Sequence, residues 1–452
     1  MSHWANDAIF YHIYPLGLCG APQRNDFTSP PVPRLEQVYS WLDHIQYLGA
    51  NTLYLGPLFE SGSHGYDTRD YYTVDRRLGD RQTLSRLSAE LHRRGIRLIL
   101  DAVFNHTGRD FWAFQDILAR GPDSPYCGWY QDLRFDGRSP YGDPFTYQGW
   151  NGHYNLAKLN LSHPDVQAHL LQATALWMDE FDVDGLRLDA ADCIDPSFLR
   201  QLASFCRTRR PDFWLVGEVV HGDYRKWANP QTLDSVTNYE CYKGQYSSLV
   251  DRNYFEINYS LNRQFGPEGI YRGLPLYQFV DNHDVNRVAS MLADPAGLYP
   301  LYGLLFSMPG VPSIYYGSEW GIEGRKNGDD SPLRPALTLE GMNAHNPHPD
   351  LPAVLHRLAQ VRQALPALRY GEYLPLAVAS QQLAFARRGG GATVVVALNA
   401  ADQAVSIDLP LTGLTGKRLE DQLNPGHTFP VQDGHARVTL DPHWARIMSL
   451  QA

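Results

Sequence analysis

Val183-Asp184-Gly185-Leu186-Arg187-Leu188-Asp189 is a short apolar run that ends on a carboxylate. It follows residues 166–181, whose apolar positions recur at the spacing of an amphipathic helix. A helix leading directly into a buried strand is the repeating unit of an α/β fold, and the same succession recurs along the chain. Strand-like runs occupy residues 8–14, 52–55, 96–103, 183–188, 213–217, 234–238, 276–280 and 312–316, with helical stretches such as 84–93 between them. Eight strands alternating with helices predict a (β/α)8 TIM barrel, although a doubly wound sheet gives a similar alternation.

Two segments break the rhythm. Residues 107–164 lie between the third and fourth strands and are rich in Gly, Pro, Tyr and Trp, which marks a functional insertion rather than a plain loop. After about residue 371 the helical period disappears. Runs at 383–387, 392–399, 404–409 and 436–440 read as strands, separated by turns such as Arg388-Gly389-Gly390-Gly391. The expected organisation is a barrel over 1–106 and 165–370, an inserted domain over 107–164, and a C-terminal antiparallel β-sandwich over 371–452.

A length of 452 residues suits a large barrel with accessories, and 43% hydrophobic with 19% charged residues is the composition of a soluble globular protein. A net charge of −10 without a dense Lys/Arg run argues against a nucleic-acid partner. No apolar run approaches the ~20 residues that span a bilayer. The opening Met1-Ser2-His3-Trp4-Ala5-Asn6-Asp7 lacks a charged segment followed by an apolar core, so a cytoplasmic location is expected. Five scattered cysteines without metal-ligand spacing agree with free thiols in a reducing compartment. Ten Trp and 27 Tyr suit a sugar-binding protein, because sugar rings present flat C–H faces to aromatic planes, but most of them belong to a large core.

Catalytic side chains of a parallel barrel sit at the C-terminal ends of its strands. Asp189 ends the fourth strand, Glu218 follows the fifth, and Asp284 follows the seventh in Phe279-Val280-Asp281-Asn282-His283-Asp284. A lone acid at a strand end is usually a helix cap or a solvated loop residue. Here the company differs. Arg187 stands two residues before Asp189, so both side chains share one face of the strand. A guanidinium there is expected to lower the Asp189 pKa and keep the carboxylate ionised, as a nucleophile requires. His106 closes the third strand and His283 precedes Asp284, and two imidazoles on one rim suit sugar hydroxyls.

At these residues the sequence resembles the α-amylase superfamily, glycoside hydrolase family 13. The matching blocks are DAVFNH (101–106), GLRLDAAD (185–192), GEVV (217–220) and FVDNHD (279–284), supported by GYDTRDYY (65–72), LAKLN (156–160) and PGVPSIYYGSEWG (309–321). The resemblance implies a retaining mechanism on α-glucan oligosaccharides, with Asp189 as nucleophile and Glu218 as general acid/base. Asp284 would be the third carboxylate, which stabilises the transition state. Arg187, His106 and His283 would surround the sugar at the cleaved bond, Tyr66 would stack beneath it, and Asp330 with Arg334 would contact sugar toward the non-reducing end. A local ion pair would give that last pair the same spacing. No cofactor is required by this chemistry.

Two departures bear on the substrate. Typical α-amylases carry Lys-His where this chain has Asp192-Cys193, so the leaving-group side must be built differently. The same His helps to hold a structural calcium. Asn105 remains one candidate ligand, from which no metal is inferred. The segments 105–116, 156–160 and 189–198 resemble the neopullulanase and cyclomaltodextrinase branch, whose members act on maltooligosaccharides, cyclodextrins and pullulan. That branch usually has an N-terminal β-domain that mediates dimerisation, whereas this sequence begins almost directly with the first barrel strand, and the oligomeric state is left open. Hydrolysis of short or cyclic α-1,4-glucans is therefore expected. The alternatives are transglycosylation through the same intermediate, with Trp112, Trp129, Trp150 and Tyr154 as an acceptor platform, and a non-catalytic glucan-binding role.

Overall fold

Each of the eight apolar runs forms a strand in the computed structural model, which describes residues 3–452. The strands are β1 (Phe10–Ile13), β2 (Thr52–Leu55), β3 (Arg97–Ala102), β4 (Gly185–Leu188), β5 (Trp214–Gly217), β6 (Ser235–Val236), β7 (Tyr277–Gln278) and β8 (Val311–Tyr315). They pair in parallel in the order β6-β5-β4-β3-β2-β1-β8-β7. One isolated bridge, Thr237 to Tyr277, joins the two ends and closes the barrel. The Asn238 amide donates to the Tyr277 carbonyl there (2.9 Å). With a single bridge, this is the thinnest seam of the sheet.

Side chains alternate across each strand. Phe10, Tyr54, Ile99, Trp214, Val216, Tyr277 and Val311 fill the lumen, while Tyr11, Leu53, Leu98 and Leu215 pack outward against the helices. The helices start where the sequence supplies donors or removes the need for them. Asp80 and Thr83 cap Arg81–Arg93 reciprocally, and Pro opens both Pro164–Glu180 and Pro196–Arg209. Between β5 and β6 there is only a 3-10 turn, Tyr224–Lys226. Among the described residues no helix is long and apolar enough to cross a membrane.

Between β3 and the helix Pro164–Glu180 the chain forms a small antiparallel sheet. His153–Lys158 is its central strand, flanked by His106–Gly108 and Gly149–Trp150, with the helix Trp112–Arg120 beside it. Past the barrel, a six-stranded sheet runs in the order Glu372–Val378, Gln382–Gly389, Ala392–Asn399, Trp444–Gln451, Arg418–Asp421, Thr428–Pro430. A two-stranded sheet, Val405–Pro410 with His435–Leu440, covers one of its faces over Ala386, Val395, Ala397, Leu409, Val438 and Met448.

The other face docks on the helix Leu298–Ser307. Gly303 of that helix meets Ala445, and a Cβ at 303 would lie 2.7 Å from the Cβ of Ala445, so the close approach requires glycine. The carbonyls that end this helix have no partners within it. Two buried arginines supply them. Arg362 donates to Phe306 O (2.9 Å) and Gly310 O (2.6 Å), while Arg387 of the C-terminal sheet donates to Ser307 O (2.8 Å) and Gly371 O (2.9 Å). Burial pushes both guanidinium groups down to about 9, so both stay charged at neutral pH. Arg387→Leu strands the buried Ser307 carbonyl and the half-buried Gly371 carbonyl and is expected to cost roughly 2–4 kcal/mol. Urea unfolding checks this, and an unchanged midpoint would show that the clamp contributes nothing.

Candidate active site

The ladder of the barrel continues one residue past its strands, which fixes the two acids of β4 and β5 on one rim. The Asp189 amide donates to Ala102 O (3.1 Å) and the Glu218 amide to Leu188 O (2.9 Å). Register places Arg187 opposite Asp101 of β3 and Val216 of β5. Its buried guanidinium meets three carboxylates. Nη1 lies 2.9 Å from both Asp101 Oδ1 and Asp189 Oδ1, and Nη2 lies 2.8 Å from Glu218 Oε2. Ala190, directly after Asp189, adopts the left-handed conformation at φ 44°, a strain of about 1–3 kcal/mol for a residue other than glycine. This turn aims the Ala190 amide at Glu218 Oε2 (3.2 Å). Gly217 permits the approach, since a Cβ there would lie 2.7 Å from that of Ala191.

The loop after β7 supplies the third acid. Asp284 Oδ2 lies 2.9 Å from His283 Nε2, and Oδ1 accepts from Arg334 Nη2 (2.8 Å). Arg334 also binds Asp330 (2.9 Å) and the His283 carbonyl (2.9 Å), so the Asp330–Arg334 ion pair forms and at the same time clamps the Asp284 loop. Tyr66 stacks on His283 with centroids 5.5 Å apart, hydrogen-bonds its Nε2, and donates to Asp101 Oδ2 (2.9 Å). His106 is pushed down to about 3 by burial and is therefore neutral. Its Nε2 donates to Tyr66 O (3.1 Å) and its Nδ1 accepts from Asn105 Nδ2 (3.1 Å), so both ring nitrogens are spent on the protein. All nine residues expected at the site thus converge on one rim or directly beneath it.

The electrostatics differ from the sequence expectation. Burial pushes the Asp189 carboxyl well above the usual carboxylate range. Glu218, Asp101 and Asp284 add repulsion, and Arg187 offsets only part of it because its charge is divided among three acids. Asp284 goes the other way. Burial alone would raise it, but the His283 and Arg334 contacts hold it well below its ordinary range. A crowded carboxyl pair beside a firmly ionised third acid can hold one proton for transfer to a leaving oxygen and still present a nucleophile.

Residues 33–349 match the model of the alpha amylase catalytic domain, and residues 376–447 match that of the maltogenic amylase C-terminal domain. The chain belongs to the α-amylase family. It is 32% identical over 415 residues to a cyclomaltodextrinase of a Bacillus species, covering 88% of this chain and 73% of that one. It is 31% identical to neopullulanase 2 of Thermoactinomyces vulgaris, over 98% of this chain and 78% of that one. Among solved structures, the ligand-free cyclic alpha-maltosyl-(1→6)-maltose hydrolase of Arthrobacter globiformis superposes with a TM-score of 0.83 at 28% identity, each chain covered in full.

Within this α-amylase-family rim, three residues stand out that the sequence reading left without a role. Asp101 anchors Arg187, Tyr66 and Tyr54 (3.0 Å) together. Its register with Arg187 was the available signal, and it needed the strand order to be read. Tyr239 and Asn282 also reach the acids, and neither carries a charge that would mark it. The four aromatics expected to act together are dispersed. Trp112 and Trp129 pack with Tyr126 and His169, Tyr154 packs on Tyr147, and only Trp150 lies beside a site residue, 5.7 Å from His106. The Asn105 Oδ1 has no hydrogen-bond partner, and among the described residues no group of three or more His, Cys, Asp or Glu forms a metal site around it or elsewhere. All five cysteines are free.

Proposed function

We propose that the protein hydrolyses short and cyclic α-1,4-glucans by double displacement, with Asp189 as nucleophile and Glu218 as general acid/base. The observation that carries this reading is the single Arg187 guanidinium that joins both carboxyls, which supports the close pair of a retaining enzyme, about 5–5.5 Å apart. Arg187 occupies Asp189 Oδ1 and leaves Oδ2 to attack the anomeric carbon. As the glycosidic C–O bond breaks, Glu218 passes its proton to the departing oxygen. Water then attacks the same carbon, gives a proton back to Glu218 and releases Asp189. Asp284, kept ionised by His283 and Arg334, stabilises the developing positive charge through the sugar hydroxyls. Tyr66 forms the stacking floor, and His106 holds it in place through the Tyr66 carbonyl.

Substrate class rests on the relatives, two of which are named for cyclic α-glucans, and one of these is matched along the full length of both chains. The free thiols support a reducing, cytoplasmic setting. Maltoheptaose, β-cyclodextrin, pullulan and cyclic α-maltosyl-(1→6)-maltose, incubated in parallel, are expected to yield maltose and glucose from at least the first two. Proton NMR should show the α-anomer first. A β-anomer formed before mutarotation would sink the mechanism, and products longer than the substrate at high maltotriose concentration would identify transfer as the main outcome.

A further inference from the structure

The loop after β6 brings Tyr239 over the barrel seam, where its hydroxyl lies 3.3 Å from Glu218 Oε1 and 3.2 Å from Asn282 Nδ2. Asn282 is fixed from its other side, because its Oδ1 accepts from the Asp284 backbone amide at 2.8 Å. A backbone N–H can only donate, so the amide oxygen of Asn282 must face it and the amide nitrogen must face Tyr239. That nitrogen in turn can only donate. The Tyr239 hydroxyl therefore accepts from Asn282 and has its own proton free for Glu218 Oε1. The remaining oxygen, Oε2, is already taken by Arg187 and the Ala190 amide. Oε1 is thus the oxygen that carries the exchangeable proton, and Tyr239 is the group that competes with that proton.

We infer that Tyr239, oriented by Asn282, is a positioning residue that sets the protonation balance of Glu218 and ties it to the loop bearing Asp284. The inference rests on the reading of Glu218 as the acid/base. A donor to a carboxylate favours its ionised form, so Tyr239 assists the water-activating half of the cycle and opposes retention of the proton in the first half. The charged groups around Glu218 are Arg187 and Asp189 from β4, with Asp101 of β3 behind them and Asp284 on the loop after β7. Tyr239→Phe leaves all of them in place and keeps the ring packed on Phe279 (5.0 Å) and Tyr242 (5.9 Å).

The test is the pH profile of kcat/KM on maltotriose for the whole enzyme. In Tyr239→Phe the alkaline limb is expected to move up by about half to one pH unit, with KM within about two-fold of wild type. Asn282→Ala, which frees the hydroxyl from its orienting donor, should shift the limb the same way by less. An alkaline limb that stays at its wild-type position in both folded variants overturns the inference. Glu218→Gln separates the two levels. If it turns over like wild type, the acid/base reading itself fails, whereas an inactive Glu218→Gln together with an unmoved limb in Tyr239→Phe removes only the role of Tyr239.

Discussion

Asp189→Asn is expected to lower kcat on maltooligosaccharides by roughly ten-thousand- to million-fold, the scale on which removal of a covalent nucleophile acts. The substitution is nearly isosteric, and its effect follows from one contact. Arg187 Nη1 is a donor, so the new amide must turn its oxygen toward it and place its NH2 where Oδ2 attacked. Nothing nucleophilic then faces the anomeric carbon. The variant should fold at least as well as the parent, because it removes one charge from a buried group of acids that repel one another. Thermal unfolding and steady-state kinetics together check this. A variant with wild-type turnover would remove Asp189 from the mechanism.

Arg187→Met is expected to cost about 3–5 kcal/mol, since breaking a buried ion network leaves its partners uncompensated. Here three partners are left: Asp101, Asp189 and Glu218. The loss has a pH signature. Without the guanidinium the buried acids bind protons more tightly in the folded than in the unfolded chain, and a raised carboxyl pKa in the native state means stability that grows as pH falls. The stability deficit against wild type should therefore narrow between pH 7 and pH 5. A deficit that is constant across that range would mean that packing, not charge, is what Arg187 provides. Lys at this position is expected to recover only part of the loss, because a point charge cannot fork between two carboxyls.

How legible this was in the sequence depended on where the information lay. All eight barrel strands were visible, because strands buried on both faces are short, mostly apolar runs, and Asp189 and Glu218 were visible because the fourth and fifth runs stop directly on them. The C-terminal sheet was half hidden. Glu372–Val378 carries Pro375 and a register shift, and Arg418–Asp421 and Thr428–Pro430 are too short for periodicity. Trp444–Gln451 contains Arg446, which is buried with Asp421 (2.9 Å), Asp441 (3.0 Å) and the Thr439 carbonyl (2.6 Å) as partners. The direction of the Asp189 pKa was misread for a related reason. Sequence neighbours showed the one arginine beside it, but not that Asp101 and Glu218, 88 and 29 residues away in the chain, draw on the same charge. The aromatic count suggested a sugar platform, yet Trp112 and Trp129 serve to seat the insertion on the helix Pro164–Glu180 through His169.

The clamp at the end of the helix Leu298–Ser307 also bears on the order in which the chain can mature. Its carbonyls are completed by Arg387, and its close face by Ala445, 80 and 138 residues after the helix ends at Ser307. During translation the helix that precedes the final barrel strand is made long before either partner leaves the ribosome. The eighth strand can pair early, but the outer layer behind it stays open until Trp444–Gln451 arrives. The C-terminal domain is in this sense the latch of the barrel, and a ribosome that stalls before residue 387 holds a chain whose acids are all present and whose frame is not yet shut.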